Sequence, residues 1–292
     1  MKAETLTAAP VADWIEGVVL KRVADDALVL PALPAVTLRC IELLRPADFS
    51  FKQVALALEK EPALVARVLR VATSPGVGGS PRLDLSEALA RLGAKAVRTL
   101  LFEAAARKAF LSKDAEIAAL ARKTWEHSVA VATLARDIAA VSGNKASEAA
   151  YLGGLLHDIG KPVVAMMLLE AERQVVSVRN AKWIEAATWS EVVGRVHHKV
   201  GAAIAEKWKL PAEISRCVRD CSEYDNSDRS SIVNAVCLAN AVSKLHGCAV
   251  GPVDEDDLNA LVMIGRSLLG IPDDVLKKMA LALPDRVSGL FE

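Results

Sequence analysis

The sequence predicts an all-α fold, for three reasons. Apolar residues recur at spacings of three and four along successive segments, which is typical of helices with one buried face. At several places a Ser, Thr or Asp is followed three positions later by Glu or Gln, the pattern of a capping box at a helix N-terminus. Few stretches alternate apolar with polar residues as a strand would. These patterns favour a chain of helices separated by Gly and Pro.

The expected elements follow in chain order. Leu33–Leu44 and the apolar residues after Pro62 each fall on one helical face. Three capping boxes mark helix starts: Ser50 with Gln53, Asp84 with Glu87 and Thr188 with Glu191. Gly93 and Gly143 indicate helix ends. PGVGGSPR, Pro75 to Arg82, is the strongest loop signal.

Two helical subdomains are expected. An alanine-rich helix ends near Phe110, and a new start follows at Ser112, Lys113 and Asp114. The predicted division is therefore an N-terminal helical portion, residues 1–111, and a helical bundle with a C-terminal extension, residues 112–292. No internal repeat is evident.

Composition excludes several classes of protein. The hydrophobic fraction is 52%, but much of it is alanine, and no apolar run approaches the length of about 18 residues that a membrane span needs. Lys plus Arg and Asp plus Glu both number 36, and no basic run suits nucleic acid. Five cysteines form no CxxC pair, and the N-terminus lacks a secretory pattern, so we expect reduced thiols and a cytoplasmic protein.

The stretch YLGGLLHDIGKPVV, Tyr151 to Val164, contains the clearest chemical signal. If Ala149–Ile159 is helical, Gly160 can take the left-handed conformation that ends the helix, and Pro162 can open the next one. His157 and Asp158 then lie beside a sharp turn. An imidazole and a carboxylate can share a cation, and His127, thirty residues upstream, is the obvious third ligand.

His127 followed by His157-Asp158 resembles the signature of the HD superfamily of metal-dependent phosphohydrolases. The segments LPALPAVTLRCIELL, LSEALARLGAKAVRTLLF, WEHS, YLGGLLHDIGK and GAAIAEKWKLPAEI, in that order, resemble the HDOD domain, a bacterial signalling branch of that superfamily. The resemblance covers about residues 30–246. It implies a bundle like the HD core behind an N-terminal helical portion, and a regulatory role that is often without demonstrated enzymatic activity.

The resemblance also implies functional residues. His127, His157 and Asp158 match three metal positions. Lys161 matches the lysine that follows His-Asp in the related HD-GYP phosphodiesterases, where a positive charge could steady a substrate phosphate. His198 matches a later histidine. One or two divalent cations are implied, drawn from Mn, Fe, Zn and Mg; the alternative is a site without metal, in which Asp158 only holds the imidazole.

The match fails in two places. Cys221 and Ser222 stand where related proteins carry a His-His pair, and Asn240 stands at the closing metal aspartate. An amide is a neutral and weaker ligand, while Cys221 is either a soft substitute ligand or a buried thiol. The replacements argue against an enzyme.

Three functions remain open. The first, which we favour, is a cytoplasmic signal-transduction module with a degenerate site, whose partner is a signalling protein or a nucleotide second messenger. The second is a metal-dependent phosphohydrolase acting on a nucleotide or cyclic dinucleotide. The third is a structural scaffold. The sequence further predicts that His127, His157 and Asp158 converge in space, with His198 at the edge and Asn240 close by.

Overall fold

A computed structural model describes residues 8–25, 30–74, 83–111, 115–179 and 186–284. Throughout these ranges the chain forms helices and turns, with no strand, so the predicted all-α class is confirmed. The predicted loop at 75–82 and the predicted start at 112–114 lie outside the described residues.

The helices run in the following order: α1 Ala8–Ala24, α2 Ala35–Leu43, α3 Phe51–Leu58, α4 Pro62–Ala72, α5 Leu85–Ala109, α6 Ala115–Val141, α7 Ser147–Leu156, α8 Gly160–Arg179, α9 Ala186–Lys207, α10 Ala212–Arg219, α11 Ile232–Ser243, α12 Glu255–Leu269 and α13 Asp273–Leu281. A short π-helical turn, Lys244–Cys248, continues from α11.

The chain divides into two compact units. Residues 32–108 form the smaller unit, and residues 1–31 join residues 109–292 in the larger one. This differs from the predicted division at 111 and 112, which assigned the N-terminus to the first portion. The physical reason is that α1 is bound to α9, where Arg195 forms ion pairs with Asp13 at 2.7 Å and Glu16 at 2.6 Å.

Two of the predicted helix starts, at Ser50 and Asp84, lie in the smaller unit. Asp84 Oδ1 accepts the Glu87 N–H at 2.7 Å, and Glu87 Oε2 accepts the Asp84 N–H at 3.1 Å, which is the predicted capping box at α5. Ser50 precedes α3 as predicted, but its side chain makes no capping bond. Gly93 lies in α5 at φ 77°, where it kinks the helix instead of ending it.

The larger unit has α6, α7 and α11 at its centre. Leu134, Ile138, Leu155 and Leu156 are fully buried there, and α6 ends at Val141, just before Gly143, as predicted. The third predicted capping box is displaced, because α9 begins at Ala186 and Thr188 lies inside it; the side chain of Thr188 is outside the described residues.

The segment Ser147–Glu170 is the one stretch in the described ranges that is long and apolar enough to resemble a membrane span. It is interrupted by the turn between α7 and α8, and 78% of its apolar window is buried in the protein. Its hydropathy is therefore accounted for by packing in the core.

Candidate functional site

His127, His157 and Asp158 come together in the core of the larger unit. The ring centroids of the two histidines lie 5.2 Å apart, and Asp158 Oδ2 lies 3.6 Å from His127 Nε2 and 3.3 Å from His157 Nε2. One potential ligand atom from each of the three residues lies within 4.8 Å of the others. The predicted convergence is therefore observed.

Close packing of α6 against α7 brings the two imidazoles together. A Cβ added to Gly154 would lie 2.8 Å from the Ala132 Cα atom, so only a glycine allows α7 to approach α6 this closely. The Gly154 carbonyl also accepts a hydrogen bond from His157 Nδ1 at 2.6 Å. The same residue thus sets both the distance to α6 and the orientation of the His157 ring.

Asp158 lies in a tight turn that is shorter than the sequence predicted. Helix α7 ends at Leu156, not Ile159, and α8 begins at Gly160. Gly160 is not left-handed, contrary to the prediction. Its backbone instead touches α9, because an added Cβ would lie 1.9 Å from the His197 carbonyl oxygen. The glycine is needed for a close helix contact, not for a turn conformation.

His197, which the sequence analysis passed over, faces Asp158. Its Nε2 lies 3.4 Å from Asp158 Oδ1, and its Nδ1 lies 2.8 Å from the carbonyls of Val193 and Gly194. Helical periodicity contained the signal, since His197 follows the buried Val193 by four residues and precedes the buried Val200 by three.

His198, the histidine predicted for the site, lies at its edge. Its ring centroid is 3.8 Å from that of His197, and its Nδ1 lies 2.9 Å from the Val218 carbonyl on α10. Burial, followed by the influence of His197, lowers the pKa of His198 to about 4. His198 therefore contacts the neighbouring helix α10, while His197 contacts the carboxylate of Asp158.

Lys161 donates to Asp158 Oδ2 at 2.6 Å. Its charge is thus engaged inside the cluster. Burial alone would raise the pKa of Asp158, but His157 and Lys161 hold it well below its ordinary value, so the group is a carboxylate. Burial also lowers the pKa of His127 to about 3, against the opposing effect of Asp158, so that imidazole is neutral.

The segment after α10 and helix α11 bring the three replacement residues to the same cavity, which Cys221, Ser222 and Asn240 all line. Asn240 Nδ2 contacts Cys221 Sγ at 3.9 Å, while its Oδ1 is buried without a partner. Burial and the proximity of Asp158 raise the pKa of Cys221 to about 12, which keeps the thiol protonated.

The cavity has a volume of about 750 Å³, within the range of small-molecule sites. It opens beside Asp158, His197 and Asn240. Two further lining residues, Trp189 and Lys244, were not predicted as site residues. Lys244 follows Asn240 by four residues, so helical periodicity could have indicated that both occupy one face.

Comparison with known proteins places this arrangement in a family. The HDOD domain family matches residues 30–224, more than half of the chain. The chain belongs to the HDOD domain family. A sequence relative, an uncharacterised protein of Treponema pallidum (strain Nichols), is 26% identical over 200 residues. That match covers 68% of this chain but only 38% of the relative, so this HDOD protein spans well under half of the relative's length.

Solved bacterial structures share the fold. A candidate metal-dependent phosphohydrolase from Shewanella amazonensis SB2B is 23% identical, with a TM-score of 0.70 over 93% of this chain and 99% of the other. An HDOD domain protein of unknown function from Geobacter sulfurreducens is 21% identical, with a TM-score of 0.60 over 91% and 98%. A candidate signal transduction protein from Marinobacter aquaeolei VT8 is 19% identical, with a TM-score of 0.59 over 99% and 67%.

The orientation of the histidines in this HDOD protein tests whether a cation fits. A carbonyl can only accept, so Nδ1 of both His157 and His197 carries a proton, and Nε2 of each ring is the nitrogen that faces Asp158. His157 Nε2 and both ring nitrogens of His127 are also buried without a hydrogen bond. The donor set therefore fits a divalent cation.

Proposed function

We propose that the chain is a bacterial cytoplasmic signal-transduction module that acts by binding a small ligand or a partner protein at the cavity. The His–Asp cluster would hold one divalent cation at most, without efficient hydrolysis. The observation that carries this proposal is Asn240, a neutral amide facing the cavity where the resemblance places a carboxylate. The retained histidines support cation binding, and the missing carboxylate argues against catalysis.

Charge balance supports the distinction between binding and hydrolysis. Within the described ranges, Asp158 is the one carboxylate in contact with His127, His157 and His197. Lys161 already neutralises it at 2.6 Å. A divalent cation would therefore add two buried positive charges that the protein does not compensate. A second cation would add two more, with Asn240 supplying only a dipole.

His127, His157, Asp158 and His197 would hold the cation, which when bound polarises a ligand oxygen as a Lewis acid. The backbone carbonyls of Gly154 and Val193 orient the His157 and His197 rings and fix their tautomers. Lys161 holds the orientation of Asp158 through its hydrogen bond. These contacts preorganise a binding site and do not by themselves supply a second carboxylate.

Elemental analysis paired with a hydrolysis screen tests the proposal. We expect less than one equivalent of Mn, Fe or Zn per chain, and no efficient turnover of nucleotides, cyclic dinucleotides or bis-p-nitrophenyl phosphate with any of these ions or Mg. His157→Ala should lower the metal content. Metal-dependent turnover that His157→Ala abolishes would overturn the proposal and favour a phosphohydrolase.

The phosphohydrolase remains the second candidate because the unpaired nitrogens of His127 and His157 favour a metal site. In that case the substrate would be a nucleotide or cyclic dinucleotide. Two equivalents of metal per chain, with burst or steady-state turnover, would distinguish it from a binding module.

A further inference from the structure

One lysine of the cavity, Lys244, has no ion-pair partner among the described residues. Lys161 and Lys244 both line the cavity, and Lys161 is engaged by Asp158. Across the described part of the chain, Lys244 forms neither an ion pair nor a side-chain hydrogen bond. Because Lys244 is only half-buried, water can solvate it in the absence of ligand. Its charge is nevertheless available to an anion that enters the cavity.

The backbone holds Lys244 at a defined position. Lys244 ends α11, where its N–H contacts the carbonyls of Asn240 and Ala241, and it begins the π-helical turn Lys244–Cys248. Gly247, at φ 82°, then redirects the chain, and Val250 returns to line the cavity. Such π-helical turns are rare and recur at functional sites.

The rest of the lining is divided between polar and apolar residues. Asp158, Lys161, His197, Asn240 and Lys244 form most of the polar lining, and Glu191, which pairs with Arg195 at 3.5 Å, adds a second carboxylate. The apolar lining consists of Leu120, Trp189, Val193, Val250 and Pro252. This combination suits a ligand that carries both an anionic group and a flat apolar ring, because indole offers a stacking surface.

We propose that Lys244 is the anion-binding residue of this cavity, and that the cavity takes a phosphate-bearing small molecule whose ring packs against Trp189. This inference rests on the proposed ligand-binding function. Phosphate is favoured over carboxylate by charge. A cation in the cluster together with Lys244 would present three positive charges beside the Asp158–Lys161 and Glu191–Arg195 ion pairs, and a phosphate brings nearly two negative charges and three acceptor oxygens. Lys161, the residue that the resemblance matches to a phosphate-steadying lysine, instead donates a hydrogen bond to Asp158.

Calorimetric titration of the full chain with adenosine 5′-monophosphate and with adenosine tests the inference. The wild type should bind the monophosphate about tenfold more tightly than adenosine, because hydrogen bonds to charged groups are the stronger ones. Lys244→Gln should remove that preference and leave adenosine affinity unchanged. Lys145→Gln, which removes one charge from an exposed lysine that does not line the cavity, is the matched control and should behave as wild type.

A second variant separates binding of the ring from binding of the phosphate. Trp189→Ala should weaken monophosphate and adenosine by the same factor, and inorganic phosphate should compete with the monophosphate in the wild type. The inference is overturned if Lys244→Gln binds the monophosphate as tightly as wild type. It is equally overturned if neither monophosphate, pyrophosphate nor phosphate binds the wild type at millimolar concentration. Failure of the proposed function would look different: efficient metal-dependent turnover.

Discussion

The two sides of the candidate site keep metal-binding chemistry to different extents. The first side, from α6 and the α7–α8 turn, presents His127, His157 and Asp158 with a converging set of ligand atoms. The second side, from the segment after α10 and from α11, presents Cys221 and Asn240, which contact each other at 3.9 Å. One side is thus organised for a cation, while the other supplies a protonated thiol and an amide.

The difference shows that ligand geometry and charge can be lost separately. The first side depends on close backbone contacts, at Gly154 against α6 and at Gly160 against α9, so its geometry is tied to the packing of the core. The second side consists of side chains facing a cavity, where a carboxylate and an amide have nearly the same size and shape. A binding module can therefore keep the fold of a metal site while losing the charge that hydrolysis needs.

The largest effect is expected from Asp158→Asn on the first side. Removing the carboxylate leaves Lys161 largely buried without its partner, which should lower the free energy of unfolding by about 4 kcal/mol, and it should abolish metal binding. Urea denaturation and elemental analysis measure the two effects. Asp274→Asn, which breaks an exposed ion pair with Lys278, is the control and should cost under about 1 kcal/mol. Equal losses in the two variants would contradict the buried cluster.

A smaller loss is expected where α8 touches α9. Gly160→Ala places a Cβ against the His197 carbonyl, so the backbones must separate, and we expect a loss of about 3 kcal/mol. Gly194→Ala is matched to it, because that glycine lies inside α9 with no atom near its added Cβ, and alanine there should stabilise by up to about 1 kcal/mol. If Gly160→Ala and Gly194→Ala shift the denaturation midpoint in the same direction, the contact between Gly160 and the His197 carbonyl is not close.

Acid sensitivity should begin at an unusually high pH. The pKa of His127 is lowered to about 3, whereas that of an unfolded histidine is about 6.5. Between these two pH values, His127 is protonated in the unfolded state and neutral in the folded state. Stability is therefore full above about pH 6.5 and falls by about 1.4 kcal/mol per pH unit below it, until about pH 3. Denaturation in the presence of a chelator, from pH 7 to pH 4, measures the slope.

His127→Gln should reduce that slope, since glutamine does not titrate. His246→Gln, at an exposed histidine outside the cluster, should leave it unchanged. A slope unaffected by His127→Gln would mean that other groups account for the acid sensitivity, His198 first among them because its pKa is also lowered.

The sequence predicted the helical class and the convergence of His127, His157 and Asp158, because periodicity and the motif are local. It did not predict why Gly160 is a glycine, since a turn and a close helix contact require the same residue. It also selected His198 where His197 contacts Asp158, a choice that depends on which face of α9 is buried. The pairing of α1 with α9 links residues 182 positions apart, as in Arg195 with Asp13, and no local pattern reports it.

The smallest effect is expected from Asn240→Asp, a substitution that gives the second side of the site a carboxylate like that of the first. Asn240→Asp places a carboxylate where Oδ1 is already buried without a partner beside the cavity. The added charge should tighten Mn²⁺ binding about tenfold, equal to about 1.4 kcal/mol, because it compensates one positive charge of the cation. Without metal, the same carboxylate is buried and unpaired, so the variant should be less stable than wild type.

Adding Mn²⁺ should therefore stabilise Asn240→Asp more than wild type, and thermal denaturation with and without the ion measures that difference. Ser222→Asp is the matched control, because it adds the same charge at another, exposed cavity residue. If both aspartates tighten Mn²⁺ equally, the gain reflects the general field of the cavity. If Asn240→Asp gives no gain, position 240 lies outside the reach of the cation, and the second side of the site serves ligand binding alone.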